Sequence, residues 1–244
     1  MIIQSKRVWI AGQFLAMQIE MQNGKITDIL PYGTKAADID YGDKRIVPGF
    51  IDVHTHGAYG FDTNDAEPEG LRDWMKRIPE EGVTAILPTT VTQMPDVLTA
   101  ALKNVAAVVS EGYEGAEILG VHFEGPYLDM EYKGAQPPEA IAKATVEQFK
   151  MYQEAAQGLI KYITMAPEHD ENFALTRYCR ETGVVVSMGH SSATYEQAML
   201  GIANGATSMT HVYNGMTPYH HRKPGLVGTA LRVRDIYGEI ICDG

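Results

Sequence analysis

From Val47 onward the sequence alternates short apolar runs with helix-length amphipathic segments, and that alternation limits the folds open to it. The apolar runs are "IVPGFIDVHTH", "VTAILPTT", "AEILGVHFEG", "KYITMAPE", "GVVVSMGHS", "ATSMTHVYN" and "YGEIICDG". Between them lie amphipathic stretches at 68–81, 95–110, 138–157, 171–182 and 194–203. Several open on Pro or an acidic residue and several close on Gly, the chemistry that helix ends prefer. Strand–helix alternation implies parallel strands and an α/β architecture. A doubly wound sheet and a (β/α)8 barrel both fit the alternation by itself.

The polar residues choose between them. His54 and His56 end the first run, Thr89 and Thr90 the second, His122 and Glu124 the third, and Glu168 the fourth. His190 ends the fifth, His211 the sixth and Asp243 the seventh. Side chains from the C-terminal ends of many successive strands converge only if the strands close into a ring. No Gly-rich dinucleotide fingerprint follows the first run, which also disfavours the doubly wound option. The expectation is a barrel of about seven strands over 47–244. Ahead of it, residues 1–46 form a separate small β domain. Its β-type runs are divided by turns at Ala11–Gly12 and Asn23–Gly24, which reads as a small antiparallel sheet.

Composition narrows the functional classes. A formal net charge of −11 argues against a nucleic-acid surface. An anionic ligand would need a local cationic patch, and His220, His221, Arg222 and Lys223 form the most cationic stretch. Two cysteines, Cys179 and Cys242, lack metal-type spacing and suggest no disulfide framework. With no signal-peptide pattern at the N-terminus and no apolar run of membrane-spanning length, a cytoplasmic protein without membrane contact is expected.

The histidines suggest chemistry. Alternation along a strand places His54 and His56 on one face. Singly, each polar residue has an innocent reading: His190 in a turn with serine caps, Glu124 paired to a cation, His211 as a core histidine. Together, Glu124, His190 and His211 sit at the same end of three different apolar strands. One carboxylate and two imidazoles with an open position are a usual ligand set of a hydrolytic metal centre. His54 and His56 could carry a second ion, with Glu124 between the two. His122, two residues before Glu124, would lie beside the centre and support it.

"VPGFIDVHTHG" resembles the first-strand signature of the amidohydrolase superfamily. "GVHFEGPYLD", "KGAQPPE", "MAPE", "SMGHSSAT", "THVYNGM" and "RKPGLVG" resemble, in order, the motifs of its N-acetylglucosamine-6-phosphate deacetylase branch. The resemblance implies a metal-dependent hydrolase-type (β/α)8 barrel with an N-terminal β-sandwich portion. It also implies hydrolysis of the acetamide of N-acetylglucosamine 6-phosphate, giving glucosamine 6-phosphate and acetate. It makes Glu124, His190 and His211 metal ligands, and His54 and His56 the mark of two-metal members, the ion being zinc or iron. Asn214 and Gly215 match positions facing the substrate phosphate. Arg222 matches an arginine supplied across a homodimer interface. Gln136 stands near the substrate where other members carry His.

The resemblance also leaves a role unassigned. The family's acid/base aspartate ends an eighth strand, and no residue up to Gly244 takes its place; Asp243 is not promoted to it. The expectation is therefore a C-terminally truncated chain, aggregation-prone and nearly inactive alone. Two other functions stay open: a non-catalytic descendant that binds metal or sugar phosphate, and another amidohydrolase acting on a cyclic amide.

Overall fold

The computed structural model describes residues 1–241. By internal contacts the chain divides into two compact units, Met1–Phe50 and Ile51 onward; the sequence reading had set the division at 46/47.

The first unit is a five-stranded sheet of β1 (Ile2–Ile10), β2 (Gln13–Gln22), β3 (Lys25–Pro31), β4 (Ile39–Asp40) and β5 (Arg45–Ile46). Both hairpin loops have two residues with positive φ, Ala11–Gly12 (46° and 90°) and Asn23–Gly24 (52° and 73°). Such turns match the twist of the flanking strands. The expected antiparallel sheet is in fact mixed, because β4 and β5 return to the free edge of β1 and pair with it in parallel. Ser5 explains the return. It is buried, it lies where the β1–β2 register slips, and its hydroxyl reaches the carbonyls of Gly42 and Lys44.

The second unit contains β6 (Phe50–Thr55), a short hairpin of β7 (Gly57–Ala58) and β8 (Phe61–Asp62), and α1 (Pro68–Arg77). It continues through β9 (Val83–Thr90), α2 (Pro95–Glu111), β10 (Glu117–Ile118), β11 (Val121–Glu124) and α3 (Val146–Ala155). Then follow β12 (Ile160–Met165), α4 (Ala174–Thr182), β13 (Val185–Met188), α5 (Tyr195–Asn204), β14 (Ser208–Met209), α6 (Gly225–Arg232) and β15 (Tyr237–Gly238). The sheet runs β10-β9-β11-β12-β13-β14-β15, with β6 on β9. Its pairings from β10–β9 to β14–β15 are parallel. The seven apolar runs thus form the strands of a (β/α)8-type barrel wall, the third run being split at Leu119–Gly120 into β10 and β11. The last six residues of β9, all of β11 and all but one of β12 are buried, as expected of parallel strands covered on both faces.

Helix ends depart from the amphipathic pattern for local reasons. The stretch 138–157 is not one helix: Ile141 is extended, and α3 starts only after Thr145, whose hydroxyl accepts from Gln148 N. Pro79 has no N–H to continue α1, so 78–81 tighten into a 3-10 turn. At 171–182 the left-handed Asn172 and Phe173 precede α4. Helix α6 was not anticipated. α5 carries a full capping box between Thr194 and Gln197.

Trp74 on α1 is fully buried in the core against Phe61, and its indole N–H has no partner among the described residues. Trp74→Ala should cost about 3–5 kcal/mol through the cavity it leaves. Trp74→Phe should cost far less, since it also removes an unsatisfied donor worth about 1–3 kcal/mol. Urea midpoints of the two variants at equal m-value check this; equal losses would contradict it.

Candidate metal centre

Glu124 is the last residue of β11 and is 1% exposed. His54 lies near the end of β6, and His56 follows that strand directly. His190 and His211 each come two residues after their strands, β13 and β14. Both adopt left-handed backbone, with φ of 47° and 32°. A non-glycine residue held there costs on the order of 1–3 kcal/mol and persists only where its surroundings demand it. Here the bend turns both imidazoles inward. Gly215 (φ 57°) makes room for them, since a Cβ there would stand 3.1 Å from His190 Nδ1 and 3.4 Å from His211 Cε1.

The five side chains meet. Glu124 Oε1 lies 3.2 Å from His54 Nε2, 3.3 Å from His190 Nε2 and 3.6 Å from His211 Nε2. Glu124 Oε2 lies 3.3 Å from His56 Nε2. His190 Nε2 and His211 Nε2 are 3.0 Å apart. Donor atoms of His54, His56 and Glu124 form one group within 4.8 Å of one another, and those of Glu124, His190 and His211 form another.

The other ring nitrogen of each histidine decides what these contacts mean. His54 Nδ1 is 2.7 Å from Glu239 Oε2, and His56 Nδ1 is 3.2 Å from the Thr89 carbonyl. His190 Nδ1 is 2.9 Å from the Tyr132 carbonyl, and His211 Nδ1 is 2.9 Å from the Asn214 carbonyl. Carboxylates and carbonyls only accept, so every Nδ1 carries the proton and donates outward. In its neutral form each ring, with its proton on Nδ1, would present its Nε2 lone pair to a carboxylate that is itself an acceptor. Glu124 Oε1 is buried and receives no hydrogen bond. Acceptors facing acceptors are stable only around a cation. The donor set, imidazole with one shared carboxylate, suits zinc or iron.

Supporting groups fix this arrangement. Asp52 accepts from His54 N and Thr55 Oγ1, closing the end of β6. Thr89 Oγ1 accepts from Thr55 N. His122 is not aimed at Glu124: its Nδ1 donates to the Val53 carbonyl and its Nε2 accepts from Thr164 Oγ1. Burial, reinforced by His54, lowers its pKa to about 3, so it is a neutral brace beneath β6.

Gln136 is buried, and both ends of its amide are committed. Its Nε2 donates to Glu124 Oε2 at 2.8 Å, and its Oε1 accepts from Thr92 N at 2.7 Å. The backbone of Asn214 closes a turn on His211, and Gly215 O accepts from Ser191 N. Arg222 is exposed and its guanidinium makes no ion pair among the described residues. Glu168 binds Ser191 and Ser192, holding the turn after His190. Asp129, Glu168 and His169 form a third group of possible metal donors beside a cavity of about 560 Å³. Its carboxylates are already spent on His169, Ser191, Ser192 and main-chain N–H groups. Asp243 lies outside the described residues.

Sequence reasoning missed Glu239 and Tyr162. Glu239 accepts from the Tyr162 hydroxyl at 2.7 Å as well as from His54. The signal was present: a carboxylate two residues into an apolar run, "YGEII", that reads as a buried strand.

Without an ion the cluster holds protons. Burial works to lower the His54 pKa, but the carboxylates of Glu124 and Glu239 on its two sides outweigh it and push it up to about 10. Burial tends to raise both carboxylates, yet the histidines facing Glu124 hold it well below its usual value, and His54 holds Glu239 below its own. The His54 contribution to stability is therefore complete below its unfolded value near 6.5 and is lost as pH rises toward about 10. The carboxylate contributions are lost instead as pH falls through their depressed values. In EDTA, the melting temperature should fall from pH 7 to 10, and His54→Leu should flatten that fall. An equally steep fall in the variant would contradict the assignment.

Residues 45–231 match the amidohydrolase family. Among known proteins, the chain is 45% identical over 207 residues to an N-acetylglucosamine-6-phosphate deacetylase of Bacillus subtilis, covering 83% of this chain and 52% of that one. A deacetylase of the same name from Lysinibacillus sphaericus is 39% identical over 235 residues (96% and 61% covered). An N-acetylgalactosamine-6-phosphate deacetylase of Escherichia coli O157:H7 is 35% identical (93% and 60% covered). The chain thus spans between half and about three-fifths of the length of these relatives. The solved structure of a mutant N-acetyl-D-glucosamine-6-phosphate deacetylase of Mycobacterium smegmatis, in complex with N-acetyl-D-glucosamine-6-phosphate, superimposes with a TM-score of 0.93 at 28% identity; all of this chain and 64% of that one are covered. With the family pattern spanning most of its length and the histidine–glutamate cluster at its strand ends, this chain belongs to the amidohydrolase family.

Proposed function

We propose that the chain acts on N-acetylglucosamine 6-phosphate, hydrolysing its acetamide to glucosamine 6-phosphate and acetate. The observation that carries this reading is the ring of four imidazole Nε2 atoms around Glu124, each held there by an outward Nδ1–H bond. The similarity to deacetylases of phosphorylated amino sugars supports the substrate class.

Glu124, His190 and His211 would hold one divalent ion, and His54, His56 and Glu124 a second. Bound there, zinc or iron supplies an activated water and polarises the amide carbonyl. The chain's own residues do the rest. Gln136 fixes the rotamer of Glu124 by donating to Oε2, leaving Oε1 turned to His54, His190 and His211. Asn214 and Gly215, on the turn after His211, would face the phosphate. Arg222, free of intramolecular ion pairs among the described residues, would reach the phosphate of a second copy in a homodimer. No described residue is assigned the proton transfer: the carboxylates at the centre, buried Glu124 and partly buried Glu239, are both committed to histidines. A cytoplasmic setting belongs to the same proposal, in keeping with the buried, unpaired Cys179, whose thiol burial pushes up to about 12. No described helix is long and apolar enough to cross a membrane.

The test is calorimetric binding of N-acetylglucosamine and its 6-phosphate to the metal-loaded chain, with acetate release assayed alongside. The phosphorylated sugar should bind, and Arg222→Ala should weaken it about 10–100-fold while sparing the neutral sugar, the range expected for charge-assisted bonds of about 1.5–3 kcal/mol. Equal loss for both sugars, or a strictly monomeric chain, would count against the role of Arg222. Acetate release by these residues should be very low, because no described residue is assigned the proton transfer; rapid release would show that one of them supplies it.

A further inference from the structure

Glu239 stands outside both groups of possible metal donors, yet it touches the centre. Its backbone is pinned on both sides of His211: Glu239 N donates to the Met209 carbonyl at 2.9 Å, and Val212 N donates to the Glu239 carbonyl at 2.8 Å. Its side chain points from the end of β15 across to β6. There Oε2 accepts from His54 Nδ1 at 2.7 Å, while Oε1 accepts from the Tyr162 hydroxyl at 2.7 Å. That hydroxyl in turn lies 2.5 Å from Ser208 Oγ. Both carboxylate oxygens are therefore placed by the barrel interior before any ligand arrives.

We infer that Glu239 is a positioning residue for His54 and controls whether His54, His56 and Glu124 take an ion. The inference rests on the metal-centre reading above and deepens it. An imidazole can offer either nitrogen to a metal, and the acceptor opposite the other nitrogen decides which. The acceptors opposite His56, His190 and His211 are main-chain carbonyls, set by the fold and out of reach of side-chain substitution. His54 alone depends on a side chain. Without the carboxylate of Glu239, its ring is free to flip or to change tautomer, and Nε2 is no longer presented to Glu124. Glu239 also adds a negative charge on the His54 side, where a second divalent cation would meet the repulsion of the first. The side chain of Glu239 bonds to His54 and Tyr162 and not to His190 or His211, so that pair should be indifferent to its removal.

The experiment strips the purified chain with a chelator, titrates it with cobalt(II) and with zinc, and reads stoichiometry by elemental analysis and affinity from the cobalt d–d bands. The unaltered chain should take two ions. Glu239→Ala should weaken one of them by about 10–100-fold, the usual effect of losing a group that orients a ligand, and should leave the other unchanged, as should His54→Ala. Glu239→Gln, which still offers an oxygen to Nδ1, should recover most of the lost affinity. Tyr162→Phe, which leaves the His54 bond intact, should keep both ions. Glu239→Met, similar in volume but unable to accept, serves where Glu239→Ala does not fold. Two ions of unchanged affinity in the Ala or Met variant would overturn the inference, as would a Tyr162→Phe variant that behaves like Glu239→Ala. One ion in the unaltered chain overturns it too, leaving the centre of Glu124, His190 and His211 standing. No ion at all would overturn that metal reading as well.

Discussion

Five acceptors aimed at one another are the constraint on which this structure turns. Glu124 and four imidazole Nε2 atoms converge in the barrel mouth, and each ring directs its Nδ1–H to an oxygen behind it. Convergence of this kind is destabilising without positive charge at the middle. Without an ion the charge comes from protons, which is why His54 is pushed up to about 10 while Glu124 is held well below its usual value. A divalent ion satisfies the same acceptors at once, each Nε2 and carboxylate oxygen giving it a lone pair. The cluster is more economically explained as a cation site than as a buried polar core, because a polar core would alternate donors with acceptors.

The rest of the second unit serves to hold that convergence. The parallel strands end at one level, so Glu124 and the four histidines arrive from β6, β11, β13 and β14 without long excursions. Left-handed turns at His190 and His211 do the final aiming, and Gly215 clears the space they need. Loop 125–137 underpins two of the five residues at once: its Tyr132 carbonyl receives His190, and its Gln136 amide holds Glu124. Asp129 stiffens that loop by accepting from Glu131 N and Tyr132 N, and its own N–H donates to the His190 carbonyl. The group of Asp129, Glu168 and His169 is therefore better understood as scaffolding for His190 than as a site of its own.

Much of this was legible in the sequence because strand periodicity and strand ends are local properties. The apolar runs located the strands, and the polar residue closing each run pointed to one end of a barrel. His54 and His56 share a face simply because side chains alternate along extended backbone. What stayed hidden depended on long-range partners. Gln136 lies in a loop with no periodicity, so its bond to Glu124 could not be read from spacing. Glu239 sits 185 residues from His54, and only the curl of the barrel wall brings them together. The break between Pro138 and α3 was hidden for a different reason: the helix pattern of 138–157 was intact, but the Thr145 cap and the Ala142 N bond to the Pro126 carbonyl prevail locally.

Sharing one carboxylate also means that the two groups of donors are not independent. Glu124 belongs to both, and an ion at His190 and His211 would draw on the negative charge that an ion at His54 and His56 needs. Gln136 adds to the asymmetry by donating to Oε2, the oxygen nearer His56. Left there, the second position would be the poorer one, with two neutral rings and a half-spent carboxylate oxygen. Glu239 corrects the imbalance from behind, since the bond from His54 Nδ1 makes that ring a stronger donor and brings a full negative charge close to it. The cost is a second, partly buried carboxylate, tolerated because Tyr162 and His54 satisfy its two oxygens. A chain with His54 and His56 but no acceptor behind His54 would keep the ligand types of a two-ion centre while losing the charge balance that makes the second ion favourable.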